Sequence, residues 1–283
     1  MSDATPSWFS ETIHGTFEQR FEISKILYRS KTKHQDLLIF ETPFFGRVLA
    51  LDNVIQTTQR DEAAYHEMIT HVPILSHGGV KEVLIIGGGD GGALRDTLKH
   101  RNVEHATIVE IDGSVVELCR EFLPSLNDGA FDDPRAELII ADGLKYVKET
   151  ERRFDLIIID STDPIGPSVP LFSDEFYVDC RNILSSDGIF ICQSGVSFVQ
   201  EGEARETNKR LSDVFEDSAL YVTLVPTYAF GFMTLGWGGR SNMARSTDIN
   251  TVRGRFNDAD INTQYYTPDV HAACFSLPGY MNY

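Results

Sequence analysis

The stretch Val83-Leu-Ile-Ile-Gly-Gly-Gly-Asp-Gly-Gly-Ala-Leu-Arg95 leaves the chain few ways to fold. An unbroken apolar run suits a strand covered on both faces. A turn of glycines and a single aspartate follows, and Ala93-Leu94-Arg95 opens a helix. Gly87, Gly89 and Gly92 fit G-x-G-x-x-G, the fingerprint of a nucleotide-type ligand lying against a strand, a turn and a helix. Glycine lets the backbone take positive φ and lets a ligand approach where a Cβ would stand. Asp90 is the unusual member. A helix N-terminus favours anions, so a pyrophosphate site has no use for a carboxylate in mid-turn. Asp90 points to an arriving cation, and away from NAD.

Strand and helix signals alternate around this turn. Apolar strand candidates are Val83–Ile86, Ala106–Ile111, Glu137–Ala141, Asp155–Ile159 and Gly188–Gln193. Helical segments fit between and after them at Ala93–His100, Ser114–Leu123, Gly143–Glu149, Glu175–Leu184 and Glu201–Phe215. Such alternation indicates a parallel sheet covered on both faces. Ala219–Val225 and Phe232–Trp237 lie too close for a crossover helix and must pair as an antiparallel hairpin. The expected fold is α/β, with a mostly parallel Rossmann sheet of the class I AdoMet-methyltransferase type that ends in that hairpin. Residues 1–57 read instead as a small antiparallel β-domain, with strand-like runs at Glu18–Tyr28, Asp36–Glu41 and Arg47–Leu51. Residues 58–283 form the expected catalytic domain. A helix starts near Asp61, and Pro73 is expected to bend or end it.

Other function classes find little support. A net charge of −17 argues against nucleic acid and would concentrate small cations. No apolar run approaches the roughly 20 residues that cross a bilayer. The polar start, Met1-Ser-Asp-Ala-Thr-Pro-Ser7, lacks the charged and apolar regions of a signal peptide, so a cytoplasmic location is expected. Cys119, Cys180, Cys192 and Cys274 are far apart and read as reduced core residues. His66, His71 and His77 lack the i, i+4 spacing of a helical zinc site, so no metal is expected. No G-x-S-x-G motif appears.

In a doubly wound sheet, ligands bind outside the carboxyl ends of the strands. Four successive strand ends here carry acids: Asp90, Glu110, Asp142 and Asp160. Glu110, some twenty residues past the glycine turn, can grip ribose hydroxyls. Asp142 can accept from an exocyclic amine, and Gly143 leaves room for a flat base. Asp160 and Asp163 lie together ahead of a loop rich in proline and glycine, long enough to act as a lid. Each acid alone could be an N-cap or turn residue. Four at one rim are harder to explain so.

Gly87-Gly-Gly-Asp-Gly-Gly92, Val109-Glu-Ile-Asp112, Asp142-Gly143 and Asp160-Ser-Thr-Asp-Pro-Ile-Gly-Pro167 resemble the spermidine synthase family of aminopropyltransferases. So do Lys33-His-Gln-Asp-Leu37, Leu51-Asp52 and Arg60-Asp-Glu-Ala-Ala-Tyr-His-Glu-Met68. The likeness runs from about Trp8 to Tyr280, with the motifs in family order. It implies transfer of an aminopropyl group from decarboxylated AdoMet to putrescine, giving spermidine and methylthioadenosine. No further cofactor is implied, and the assembly would be a homodimer or homotetramer built partly through the N-terminal β-domain. Position by position, it implies that Gln35, Glu110, Asp142, Gly143 and Pro167 hold the methylthioadenosine part beside Gly87 and Gly89. Asp90 and His66 lie where the aminopropyl arm meets the amine. Tyr65, Asp160, Asp163 and Tyr228 line the amine channel, with Asp160 as proton acceptor. Ala63 and Ala64 replace a bulkier pair, and Thr162 stands where serine is common. Alternatives are a small-molecule N-methyltransferase on the same scaffold and a non-catalytic polyamine- or nucleoside-binding protein. The terminal hairpin and Asp90 weigh against an NAD dehydrogenase.

Overall fold

The computed structural model describes residues 7–13, 15–164, 166–281 and 283, with only the backbone described at Ile13 and Pro167. Among the described residues the N-terminal region is built of strands joined by turns. β1 (Ser7–Ile13) and β2 (Phe17–Ile23) form an antiparallel ribbon that sets Glu11 opposite Gln19. β3 (Lys25–Lys31), β4 (Asp36–Thr42), β5 (Gly46–Leu51) and β6 (Val54–Thr58) form a separate antiparallel meander. The run expected over Glu18–Tyr28 is therefore two strands in two sheets. Ser24 breaks it by donating its N–H to the Glu41 carbonyl at 2.8 Å. Phe9, Phe21, Phe40 and Val48 make a small core between ribbon and meander.

α1 (Ala63–His77) links this region to the rest. Of the two expected outcomes at Pro73, a bend or a stop, the stop does not occur, and the helix runs through. An interior proline costs roughly 3 kcal/mol. Every residue from Ala63 to Ser76 is buried, and burial of apolar side chains on all sides outweighs one lost hydrogen bond. The helix stops at Gly78, whose φ of +78° suits glycine and whose N–H reaches the Ile74 carbonyl at 2.8 Å.

The main sheet is built from β7 (Glu82–Gly87), β8 (His105–Glu110), β9 (Ala136–Ile140), β10 (Phe154–Asp160), β11 (Leu184–Val196), β12 (Asp217–Leu224) and β13 (Phe232–Gly239). Their order is β12-β13-β11-β10-β7-β8-β9. β7 to β11 are parallel, while β13 is antiparallel to both β11 and β12. The terminal hairpin is thus as the sequence indicates. Helices α2 (Gly92–Leu98), α3 (Gly113–Phe122), α4 (Pro124–Asn127), α5 (Gly143–Glu149), α6 (Asp174–Ile183) and α7 (Glu201–Val214) connect the strands. α8 (Ile249–Ala259) and α9 (Pro268–Cys274) follow the hairpin. The central apolar runs Val83–Ile86 and Leu156–Ile159 are at most 2% exposed and feed cores on both faces. From β7 the chain winds one way through β8 and β9, then returns to the other side of β7 at β10. A crevice must open at that reversal, outside the strand ends. Among the described residues no helix is long and apolar enough to cross a membrane.

Candidate active site

A cavity of about 420 Å³ fills this crevice. Ten of the expected residues come to its wall from the main sheet and α1: Tyr65, His66, Gly87, Gly89, Asp90, Glu110, Asp142, Gly143, Asp160 and Asp163. Gln35 reaches it from the β3–β4 loop and Tyr228 from the β12–β13 turn. The side chain of Pro167 lies outside the described residues. Because β10, β7, β8 and β9 are neighbours, the acids at their ends form one row: Asp160, Asp90, Glu110, Asp142.

The glycine turn is shaped by its neighbours as much as by any ligand. Gly87 has φ +84°, and a Cβ there would sit 2.2 Å from the Asp160 carbonyl oxygen. Gly88 donates its N–H to that oxygen at 2.8 Å, which ties the turn to β10. At Gly92 a Cβ would lie 2.3 Å from the His66 ring. The last glycine of the fingerprint therefore makes room for an imidazole. At Gly143 a Cβ would stand 2.5 Å from Ile86 Cγ2, so packing against β7 is what requires glycine there.

The polar groups fall into two regions. Around β8 and β9, Glu110 is buried and accepts the Asp112 N–H at 2.8 Å. Burial pushes its carboxyl up to about 7, against the pull of that backbone bond. Gln35 Nε2 meets Asp112 Oδ2 at 3.3 Å and so closes the N-terminal meander over this end. Asp142 is the N-cap of α5, accepting from the Leu144 N–H at 2.9 Å, and also faces the cavity. The capping role considered from sequence is real, and it leaves the second carboxylate oxygen available. Ile86, Ile111 and Leu144 supply apolar wall beside these groups.

Around β7 and β10, Tyr65 donates its hydroxyl to Asp160 Oδ1 at 2.8 Å. Burial, then the nearby charge of Asp90, push the Asp160 carboxyl up, while His66 and the Tyr65 bond pull it down. Burial would also lift Asp90, but His66, the Gly92 N–H at 2.8 Å and Arg95 outweigh it and hold Asp90 ionised below its usual range. The two carboxylates are thus driven apart in acidity. Such separation marks acid–base sites. The Tyr228 ring lies 6.1 Å from that of Tyr65, edge to face, and its hydroxyl donates to the Gln56 carbonyl at 2.6 Å. Asp163 accepts from Gln200 Nε2 at 2.8 Å. The loop beyond it, read from sequence as long enough for a lid, holds a 3-10 turn at Gly166–Phe172.

Several wall residues were not found from sequence. Glu11 is 5% exposed and accepts from the Ile55 N–H at 3.2 Å and from Gln19. Burial raises its carboxyl, with the Gln19 bond opposing. An acid at the inward-facing phase of an alternating strand was the available signal. Gln193 and Gln200 carried none. Asp61, read as a first-turn helix acid, instead precedes α1 and accepts from the Thr227 N–H at 2.8 Å and hydroxyl at 2.7 Å. It fastens the turn that carries Tyr228.

Comparison with known proteins follows the same outline. Residues 62–248 match the family described as the spermine/spermidine synthase domain, and residues 7–59 match the spermidine synthase tetramerisation domain. The chain is 51% identical over 274 residues to a polyamine aminopropyltransferase of Serratia proteamaculans, covering 97% of this chain and 95% of that one. It is 52% identical over 274 residues to a protein of the same name from Ruegeria sp., covering 97% and 96%. Among solved structures, a spermidine synthase in complex with the transition-state analogue AdoDATO superposes with a TM-score of 0.93 at 37% identity, covering 99% of this chain and 96% of that one. Spermidine synthase from Thermotoga maritima gives 0.89 at 36%, covering 99% and 95%.

Proposed function

The chain belongs to the spermine/spermidine synthase family of polyamine aminopropyltransferases, and on that premise we propose that it moves the aminopropyl group of decarboxylated S-adenosylmethionine to putrescine. Spermidine and 5′-methylthioadenosine are the products. The observation that carries this reading is Asp160: a half-buried carboxylate, raised in basicity, held by Tyr65 and facing the cavity between the glycine turn and the aromatic wall.

The residues divide the work as follows. Glu110 and Gln35 take the ribose, Asp142 the base, and the apolar wall of Ile86, Ile111 and Leu144 the flat ring. Gly87 and Gly89 edge the same pocket. The sulfonium arm then passes Asp90 and His66. The acceptor's methylenes lie along Tyr65 and Tyr228, and Asp163 with Glu11 answers the distal ammonium. Sulfonium is an excellent leaving group, so the protein's main task is alignment for in-line attack. The amine nitrogen bonds to the terminal carbon of the aminopropyl chain as the carbon–sulfur bond breaks. Sulfur keeps the bonding pair and becomes a neutral thioether. The proton lost by nitrogen goes to Asp160. A positioned base of this type is worth about 10²–10⁴-fold. Residues 1–57 would serve assembly into a homodimer or homotetramer and complete the cavity wall, and the cytoplasm is the expected location.

The test is a product assay with decarboxylated S-adenosylmethionine against putrescine, cadaverine, agmatine and spermidine, with S-adenosylmethionine as the competing donor. Spermidine formed fastest from putrescine supports the reading. A longer acceptor winning would replace the substrate, and methylated amine would replace the reaction.

A further inference from the structure

Glu62 sits where a helix cap would, one residue before α1, yet its side chain caps nothing. It is 6% exposed. Arg95 grips both of its oxygens, Nη1 on Oε1 and Nη2 on Oε2, each at 2.9 Å. The other Arg95 donors go to the Leu126 carbonyl and to buried Asp96, so the guanidinium is fully committed. Glu62 Oε2 lies 2.6 Å from His66 Nδ1. On the far side of the ring, His66 Nε2 lies 3.4 Å from Asp90 Oδ2. The ring fills the space left open at Gly92.

A carboxylate only accepts hydrogen bonds. With one on each side, His66 satisfies both only when both ring nitrogens carry hydrogen. We propose that Glu62, clamped by Arg95, is a positioning residue for aminopropyl transfer: it fixes His66 as an imidazolium whose Nε2–H anchors Asp90 beside the reacting arm. The proposal rests on the aminopropyltransferase reading for its consequence, but not for its geometry. The groups facing His66 are Glu62 just ahead of α1, Tyr65 from α1, Asp90 from the glycine turn, Arg95 from α2 with Asp96 behind it, and Asp160 from the end of β10. Burial opposes a charge on His66, and the two adjoining carboxylates outweigh it, so the ring's proton affinity lies well above that of free imidazole.

The test pairs ring nitrogen chemical shifts, from protein carrying ¹⁵N-histidine, with kinetics of wild type, Glu62→Gln and Arg95→Lys. The His66 signal is assigned with His66→Gln. In wild type the ring should stay doubly protonated across about pH 6.5–9. In Glu62→Gln it should titrate inside that window, because a neutral amide replaces the carboxylate. The variant-to-wild-type ratio of kcat/KM for the amine should then fall about tenfold or more as pH rises through the window. Affinity for methylthioadenosine should stay constant, since that ligand lies on the other side of the turn. Arg95→Lys should behave in the same direction. A neutral wild-type ring at pH 7.5 overturns the proposal even if both variants misfold. So does a pH-independent loss that tracks a falling melting temperature, which would be a structural role only. Wild type without aminopropyl transfer would sink the functional reading and leave the ring measurement standing.

Discussion

Replacing Tyr65 by Phe removes one oxygen and one hydrogen bond from the candidate site. The ring keeps its edge contacts with His66, at 5.4 Å between centroids, and with Tyr228, at 6.1 Å. The lost bond is the 2.8 Å donation to Asp160 Oδ1. A hydrogen bond to an ionised group is worth about 1.5–3 kcal/mol. At about 1.4 kcal/mol per pKa unit, Asp160 should become more basic by about one to two units. Burial and Asp90 already push it upward, so the change adds to an existing shift. The sign follows from its role. A base works only when ionised, so kcat/KM falls as pH drops through its value. Raising that value moves the acid limb of the profile to higher pH. The assay is kcat/KM for the diamine against pH in both proteins, read as a ratio, because the diamine's own protonation is common to both. The ratio should fall by about ten- to a hundredfold on the acid side and approach unity on the alkaline side. A ratio constant across pH would refute the assignment of Asp160 as the base tuned by Tyr65. Unaltered methylthioadenosine affinity serves as the control for folding.

Asp160→Asn should keep nucleoside binding and lose turnover by about 10²–10⁴-fold; near wild-type turnover would remove it as the base. Glu110→Gln should weaken methylthioadenosine by about tenfold or more, read by calorimetric titration. The same change should raise the melting temperature of the ligand-free protein near pH 8 but not near pH 4. Burial lifts the folded-state value of Glu110 from 4.5 to about 7, so its contribution to stability is lost as pH rises through that range. Asp90→Asn should narrow the preference for decarboxylated S-adenosylmethionine over S-adenosylmethionine, since like charges desolvated together cost several kcal/mol. It also leaves the His66 cation free to attract the donor's carboxylate, and an unchanged ratio of dissociation constants would count against this role. Gly92→Ala favours helix by intrinsic propensity, yet its Cβ would meet the His66 ring at 2.3 Å. Activity should therefore fall although the helix is nominally improved, and full activity would show that the ring's place does not matter.

Local pattern carried much of the architecture. An apolar run, a glycine turn and a helix start are written in consecutive residues, and the same alternation repeats through β11. The short spacing between β12 and β13 excluded a crossover helix without any knowledge of packing. The strand-end acids were legible for the same reason: once the strands were known, the topological rule named the rim on which Asp90, Glu110, Asp142 and Asp160 converge. Where local signals competed with tertiary contacts, the tertiary contacts decided. Pro73 reads as a bend or a stop, but α1 is enclosed on every side and continues through it. Glu18–Tyr28 reads as one strand, but the Ser24–Glu41 bond turns the chain into a second sheet. Contacts between distant segments left no mark in the sequence. Gln19 reaches the Thr227 carbonyl across 208 positions at 2.8 Å, and Glu62 meets Arg95 across 33. Asp61 looks like a helix-start acid and is a fastener for the turn bearing Tyr228. The charge states belong to this second class. Nothing in the order of residues says that His66 lies between two carboxylates, or that Asp160 is raised while Asp90 is lowered. Proton affinity depends on which charges are near and how little water is between them, and only the folded chain sets both.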